Sequence, residues 1–306
     1  MMPTGQGSFR LFRFAGIDVF LHWSWFVVAV FMIQYRRGDY SSLLWNGLEY
    51  VGLFAIVLLH EFGHSLACRQ VGGKANQIVL WPLGGVAYVA PPPRPGATLW
   101  SIAAGPLVNV ALAPILTGLL FLAGNWGWNA TLPDAYELIR ALWIINTGIL
   151  IFNLLPIYPL DGGQILQSVL WFFMSRARSL MVASIIGIIG VVALIGLAVL
   201  DRSIWIVLIA VFILMNCWQG LRQAQLLSRV AKLPRRGGFA CPECKQPPVS
   251  GPYWRCQKCL QPFDMFASLG TCPHCGTQFE TTLCLDCGNM TPIARWMVAP
   301  PVLPRD

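Results

Sequence analysis

Apolar runs separated by short polar breaks dominate the first three quarters of the chain. They cover roughly residues 17–35, 47–71, 97–124, 138–158, 180–200 and 203–221. A helix of about 20 apolar residues crosses a hydrocarbon layer, so the pattern predicts six membrane-spanning helices. The fourth run is interrupted by Pro156 and Pro159, which predicts a helix that ends within the bilayer. Gln164–Met174 then either opens the fifth span or forms a separate helix along the interface. Between the second and third runs, Asn76–Val89 alternates β-formers around Pro82 and Gly84-Gly85. It is too short to cross as a helix and predicts a β-hairpin. An open strand edge cannot face lipid, so that hairpin must lie against protein or a water-filled cavity. The expected fold is an all-α polytopic membrane protein with a short membrane-associated β-hairpin, followed by a small cysteine-rich tail.

Composition agrees with the pattern. Hydrophobic residues make up 56% and charged residues 11% of the 306, against about 25% charged in soluble domains. No small-residue cleavage site follows the first run, so it reads as a retained span, preceded by the short basic interfacial stretch Met1–Arg13. Of the sixteen Lys and Arg before residue 237, twelve fall on one side when the N-terminus is placed in the cytoplasm, and four (Arg36, Arg37, Arg140, Arg202) on the other. That positive-inside bias puts both termini in the cytoplasm, in what is expected to be a prokaryotic cell membrane. The net charge of +8 is then a matter of topology and lipid contact, and nucleic acid is not an expected partner.

The second run carries His60-Glu61-Phe62-Gly63-His64. On a helix, residues four apart share a face, so both imidazoles can bind one zinc ion. Glu61 projects about 100° round, beside the metal's open position, where a general base belongs. An ionisable group at mid-bilayer costs about 3 kcal/mol on insertion scales, so three in one spanning helix need a reason. The blander alternatives are a polar packing cluster between helices or a relic of a metal site. Two histidines leave zinc short of a third protein ligand. The broken end of the fourth run, Asn153-Leu154-Leu155-Pro156-Ile157-Tyr158-Pro159-Leu160-Asp161-Gly162-Gly163, delivers a carboxylate at membrane depth. Spans two and four run in the same direction, so Asp161 and the histidines approach the same side. The two prolines unwind the helix and the two glycines permit a sharp turn; alternatively, Asp161 caps the next helix. Asn153 can donate a hydrogen bond to an oxyanion. Gly105-Pro106-Leu107-Val108-Asn109 in the third run is a weaker signal that helix packing explains equally well. His22, beside Trp23 in the first run, fits a hydrogen-bonded packing role better than a place in the site.

Taken together, His60-Glu61-Phe62-Gly63-His64 and Asn153-x-x-Pro156-x-x-Pro159-x-Asp161-Gly162 resemble the paired signature of the site-2 protease family of intramembrane zinc metalloproteases. Gly105–Asn109 is similar to that family's intervening Gly-x-x-x-Asn element. The Phe20–Trp25 opening resembles its compact, sporulation-processing-like prokaryotic branch. The likeness covers roughly residues 9–230. It implies zinc on His60, His64 and Asp161, Glu61 as catalytic base, and Asn109 and Asn153 as substrate or oxyanion contacts. It further implies regulated cleavage of membrane proteins with a single transmembrane segment. A PDZ-sized insertion and a nucleotide-binding tail, found in other branches, have no counterpart here. Two rival readings are a catalytically silent membrane adaptor and a metal-ion transporter; the intact Glu61 opposes the first, and the scarcity of other acidic or His residues in the spans opposes the second.

Four Cys-x-x-Cys pairs mark the tail: Cys241/Cys244, Cys256/Cys259, Cys272/Cys275 and Cys284/Cys287. They predict a tandem zinc ribbon with two structural four-cysteine sites, making three zinc ions per chain with the catalytic one. Sequential pairing, first with second and third with fourth, is the simplest arrangement. A reducing compartment disfavours disulfides. Charges in the tail are balanced, which favours a cytoplasmic protein partner over nucleic acid. The predicted organisation is a protease domain over 1–232, a linker over 233–240, the ribbon over 241–288 and a disordered tail over 289–306.

Overall fold

A computed structural model of the protein describes residues 7–36, 38–81, 84–201 and 204–297. The first apolar run is not a single helix of spanning length. Its opening joins two antiparallel strands, β1 (Ser8–Phe14) and β2 (Ile17–His22). The turn between them uses Ala15 and Gly16, both at positive φ, the left-handed geometry of a tight hairpin. Along β2, Ile17, Val19 and Leu21 are buried while Asp18, Phe20 and His22 face the other way. This two-residue alternation is hidden in a count of apolar residues. The rest of the run forms α1 (Ser24–Tyr35), whose 12 residues extend only about 18 Å. His22 is hydrogen-bonded to Ser24 and packs beside Trp23, the packing role expected of it.

The predicted hairpin is also part of something larger. Strands β3 (Lys74–Trp81) and β4 (Gly84–Ala90) pair antiparallel, and β3 lies parallel to β2, giving a four-stranded sheet in the order β1-β2-β3-β4. A parallel pair needs a long crossover, supplied here by α1 and α2 (Leu43–Gln70). Ile17, Val19, Leu21, Ile78 and Leu80 pack with Trp25 and with Phe62 of α2, so the sheet is seated on the helix that carries the His-Glu-x-x-His sequence. Strand β4 forms one edge of the sheet.

The helices that follow are α3 (Pro95–Asn125), the single turn α4 (Trp128–Thr131), α5 (Pro133–Leu154), α6 (Asp161–Trp171), α7 (Arg176–Asp201) and α8 (Ile204–Ala231). Among the described residues four helices are long and apolar enough to cross a membrane: α2, α3, α5 and the part of α7 from Arg176 to Leu197. From Ile204 onward the sixth predicted run lies within α8. The segment after Pro159 is a separate helix, α6, and not the start of the fifth span. Where α2 and α3 meet, a Cβ on Gly63 would lie 2.6 Å from the Ala104 carbonyl oxygen, so the glycine lets the two backbones approach closely. At the end opposite the His motif, buried Glu49 accepts from Arg36 (3.1 Å) and Tyr40 (2.5 Å), and Arg36 also reaches Glu137 of α5 (3.2 Å). Glu49 and Glu137 in these apolar helices therefore have charged partners.

The tail differs from expectation in three ways. First, its cysteines group as Cys241, Cys244, Cys284 and Cys287, and as Cys256, Cys259, Cys272 and Cys275. The pairing is nested, not sequential: the inner two knuckles meet each other, and the outer two close around them. Second, residues 290–296 are structured. Strand β5 (Thr281–Leu283) pairs with β6 (Met290–Pro292), and the 3-10 turn Ile293–Trp296 buries Ile293 and Trp296 against Phe266 and Trp254. The burial of Ile293 and Trp296 drives that closure; residues 298–306 lie outside the described set. Third, residues 233–240 are attached to the tail's core: Leu233 and Phe239 pack on it, and Ala240 N–H donates to the Trp296 carbonyl at 2.8 Å.

Candidate active site

One continuous helix and one break in regular structure bring the site together. Helix α2 carries His60, Glu61 and His64 on one continuous, buried face. The chain leaves α5 at Leu154, where Pro156 and Pro159 forbid further helix, and re-enters helix at Asp161. Gly162 and Gly163 make this possible by close approach and not by a left-handed turn. A Cβ on Gly162 would run into the Leu154 and Leu155 carbonyls, and one on Gly163 into the backbone at Ile157 and Tyr158. Asp161 thus sits in the first turn of α6 with its carboxylate aimed at α2.

There, Asp161 Oδ2 lies 3.0 Å from His60 Nε2 and 3.4 Å from His64 Nε2, and the two Nε2 atoms are 3.1 Å apart. All three side chains are buried. Asp161 Oδ2 has no hydrogen-bond donor. The outer nitrogens of both rings face acceptors: His64 Nδ1 lies 3.0 Å from the Ser101 carbonyl and His60 Nδ1 2.7 Å from Asn109 Oδ1. With each ring proton held on Nδ1, three lone-pair atoms converge on one point, an arrangement that a cation satisfies. Two imidazoles and one carboxylate are the donor set of a catalytic zinc centre with an open fourth position. The residues present fit that ion. Gly105 of α3 leaves the room, since a Cβ there would collide with both imidazoles.

Glu61 lies on the same helix, beneath the edge of the sheet. Its Oε2 accepts from the Ala87 N–H at 2.9 Å, and a Cβ on Gly85 would collide with its side chain. Strand β4 therefore runs directly over the carboxylate. Asn109 is fully buried in α3 and meets His60 from behind. Asn153, half-buried in the last turn of α5, has no side-chain hydrogen-bond partner among the described residues. Asn146 was not foreseen. It is fully buried in α5 and exchanges hydrogen bonds with Asn109; its signal was a polar amide inside an apolar run.

The cysteine groups have metal-site dimensions. The sulfur separations are 3.8 Å (Cys241–Cys287), 3.7 Å (Cys244–Cys284), 3.6 Å (Cys256–Cys275) and 3.7 Å (Cys259–Cys272). A zinc tetrahedron with 2.3 Å bonds has edges of about 3.8 Å, whereas a disulfide needs about 2 Å.

Helices of spanning length, with two histidines and one carboxylate converging among them, define an integral membrane protein with a candidate metal site. Residues 49–142 and 129–197 match the model of peptidase family M50. It is 30% identical over 219 residues to a zinc metalloprotease of Methanocaldococcus jannaschii. It is 28% identical over 241 residues to a putative zinc metalloprotease of Synechocystis. Each match covers 72% of this chain and 62% of the relative's length. The solved site-2 protease from Methanocaldococcus jannaschii superposes with a TM-score of 0.50 at 26% identity, covering 70% of this chain and 95% of that one.

Proposed function

We propose that this protein is an intramembrane zinc metalloendopeptidase that cuts peptide bonds within transmembrane segments of membrane proteins, with both of its termini in the cytoplasm. The convergence of His60, His64 and Asp161 beside Glu61 carries the reading. Those three residues would hold zinc, which when bound acidifies a water and polarises a carbonyl. Glu61 takes the proton of the attacking water and returns it to the leaving amine. Burial of its carboxylate under β4 keeps that proton from bulk water. Asn153, with an uncommitted amide, is proposed to donate to the oxyanion.

Substrate presentation follows from the sheet. The Ala87 N–H points away from β3 and toward Glu61, so an extended peptide adding to the edge of β4 would pass beside the base. A transmembrane helix must unwind to bind this way, which suits substrates with a single, weakly helical span. The tail would bind two structural zinc ions, fold only with them, and dock a cytoplasmic protein. Residues 1–232 form the proposed protease domain, joined to that module by 233–240.

The test uses purified protein in liposomes with a single-span model substrate. Wild type is expected to cleave it, and Glu61→Gln to keep its zinc while losing turnover by at least about 100-fold. Normal cleavage by Glu61→Gln, or no metal on wild type beyond the cysteine sites, would overturn the assignment.

A further inference from the structure

Asn146 lies outside every motif in the chain, yet it closes a hydrogen-bond series that ends on a proposed zinc ligand. Its amide Nδ2 donates to the Asn109 main-chain carbonyl at 3.0 Å. A carbonyl can only accept, so this contact fixes which end of the Asn146 carboxamide is nitrogen. Its Oδ1 must then face Asn109, and it accepts from Asn109 Nδ2 at 2.9 Å. That in turn turns Asn109 Oδ1 toward His60, 2.7 Å from Nδ1. An oxygen there requires the imidazole to carry its proton on Nδ1, leaving the Nε2 lone pair free. Both asparagines are fully buried, so water cannot substitute for either partner.

We propose that Asn146 is a positioning residue that sets the tautomer of His60 through Asn109, so that the ring is ready for metal before metal arrives. The two ligand histidines are thereby held differently. His64 faces the Ser101 carbonyl, whose polarity is invariant. His60 faces a side-chain amide, which can rotate by half a turn and present NH2 in place of oxygen. Such a flip would make Nδ1 the acceptor and put the proton on Nε2, pointing at Asp161. The reciprocal pair with Asn146 is what blocks the flip. This inference rests on the zinc reading of His60, His64 and Asp161 for its consequence, but the tautomer itself is measurable without metal.

The experiment is nitrogen NMR of 15N-histidine-labelled, full-length protein in detergent at pH 8, freed of metal at the His60/His64 site. The chain has 4 histidines (His22, His60, His64 and His274), so single substitutions assign each resonance. Wild type is expected to show His60 with its proton on Nδ1 alone. A mixture or the Nε2–H form in wild type would overturn the inference with no variant needed. Asn146→Leu, close in volume, should give a His60 Nε2–H population. Its zinc dissociation constant at the histidine site should rise about 10–100-fold. That site is followed by 113Cd NMR, which separates nitrogen and oxygen ligation from thiolate ligation. The double variant Asn109→Asp/Asn146→Leu restores both, because a carboxylate offers an acceptor whichever way it turns. Weaker metal binding with an unchanged tautomer, or no rescue by Asp at position 109, would reduce Asn146 to packing and overturn the proposal. Wild type that keeps the Nδ1–H tautomer but binds no metal would instead overturn the zinc reading.

Discussion

At Gly105 a hydrogen stands where any other residue would place a carbon between α3 and the two imidazoles. Gly105→Val should abolish metal binding at the histidine site while leaving the cysteine sites loaded, a loss of one zinc per chain by atomic absorption. An unchanged zinc content would refute this reading of the glycine. In the tail, Asp264 accepts from the Gly251 N–H (2.8 Å), from the Phe266 and Ala267 N–H groups (3.0 Å each) and from Arg236 (2.8 Å). Burial pushes its carboxyl up, but the Gly251 and Ala267 amides, Arg236 and the Phe266 amide outweigh that and hold it below its ordinary value. A depressed carboxyl stabilises the fold at every pH above its unfolded value of about 3.9, and that contribution disappears as pH falls through the folded value. Asp264→Ala should therefore destabilise the tail by about 1–3 kcal/mol at pH 7. With zinc in excess, the gap from wild type should stay constant from about pH 8 down to about pH 6, well above the carboxyl's titration, as read from Trp fluorescence on denaturation. Narrowing within that range would contradict the assignment.

Strands and helices divide the site's tasks, and the division can be tested. Helix α2 and the start of α6 hold the proposed ligands, whereas β4 covers the proposed base. Gly85→Ala pushes first on Glu61, so it should spare zinc content and reduce kcat. Gly162→Ala pushes on the α5–α6 junction, displaces Asp161 and should weaken zinc binding, at an overpacking cost of about 1–3 kcal/mol. Equal effects of the two substitutions on zinc would show that strand and helix are not separable. The first apolar run teaches a related lesson at this scale. Ile17–Leu21 reads as membrane-spanning by its apolar content, but its alternate residues are buried against α2 and β3 while the others face away. The length and apolar content of a run do not distinguish a buried strand from part of a span; the partner strand does.

Across the whole molecule, the tail is tied to the end of α8. Arg235 forms a two-pronged pair with Asp286 (2.6 and 2.9 Å), inside the knuckle between Cys284 and Cys287, and also donates to the Val230 carbonyl at 3.1 Å. The helix end and the outer cysteine group are thus one unit. Nested grouping makes a sharp prediction about substitutions in pairs. Cys241→Ser combined with Cys287→Ser should cost one zinc, because both act on a single site. Cys241→Ser combined with Cys256→Ser should cost two. Sequential grouping would give the opposite result, and zinc counting decides between them.

The sequence by itself determined what depends on local spacing. Residues four apart share a helix face, so His60 and His64 were readable as a pair; prolines stop a helix, so the arrival of Asp161 at a break was readable; Cys-x-x-Cys makes a knuckle wherever it folds. Tertiary structure alone decided which distant groups meet. The Asn146–Asn109–His60 series, the room left by Gly105, the β4 edge over Glu61 and the nesting of the cysteine pairs join residues separated by 13 to 49 positions. No periodicity links such positions, because the contacts exist only once α2, α3, α5 and the sheet have packed. The physical reason is that a backbone repeat sets the neighbours of a residue within one element, while the closing of one element on another is set by the summed burial of all of them.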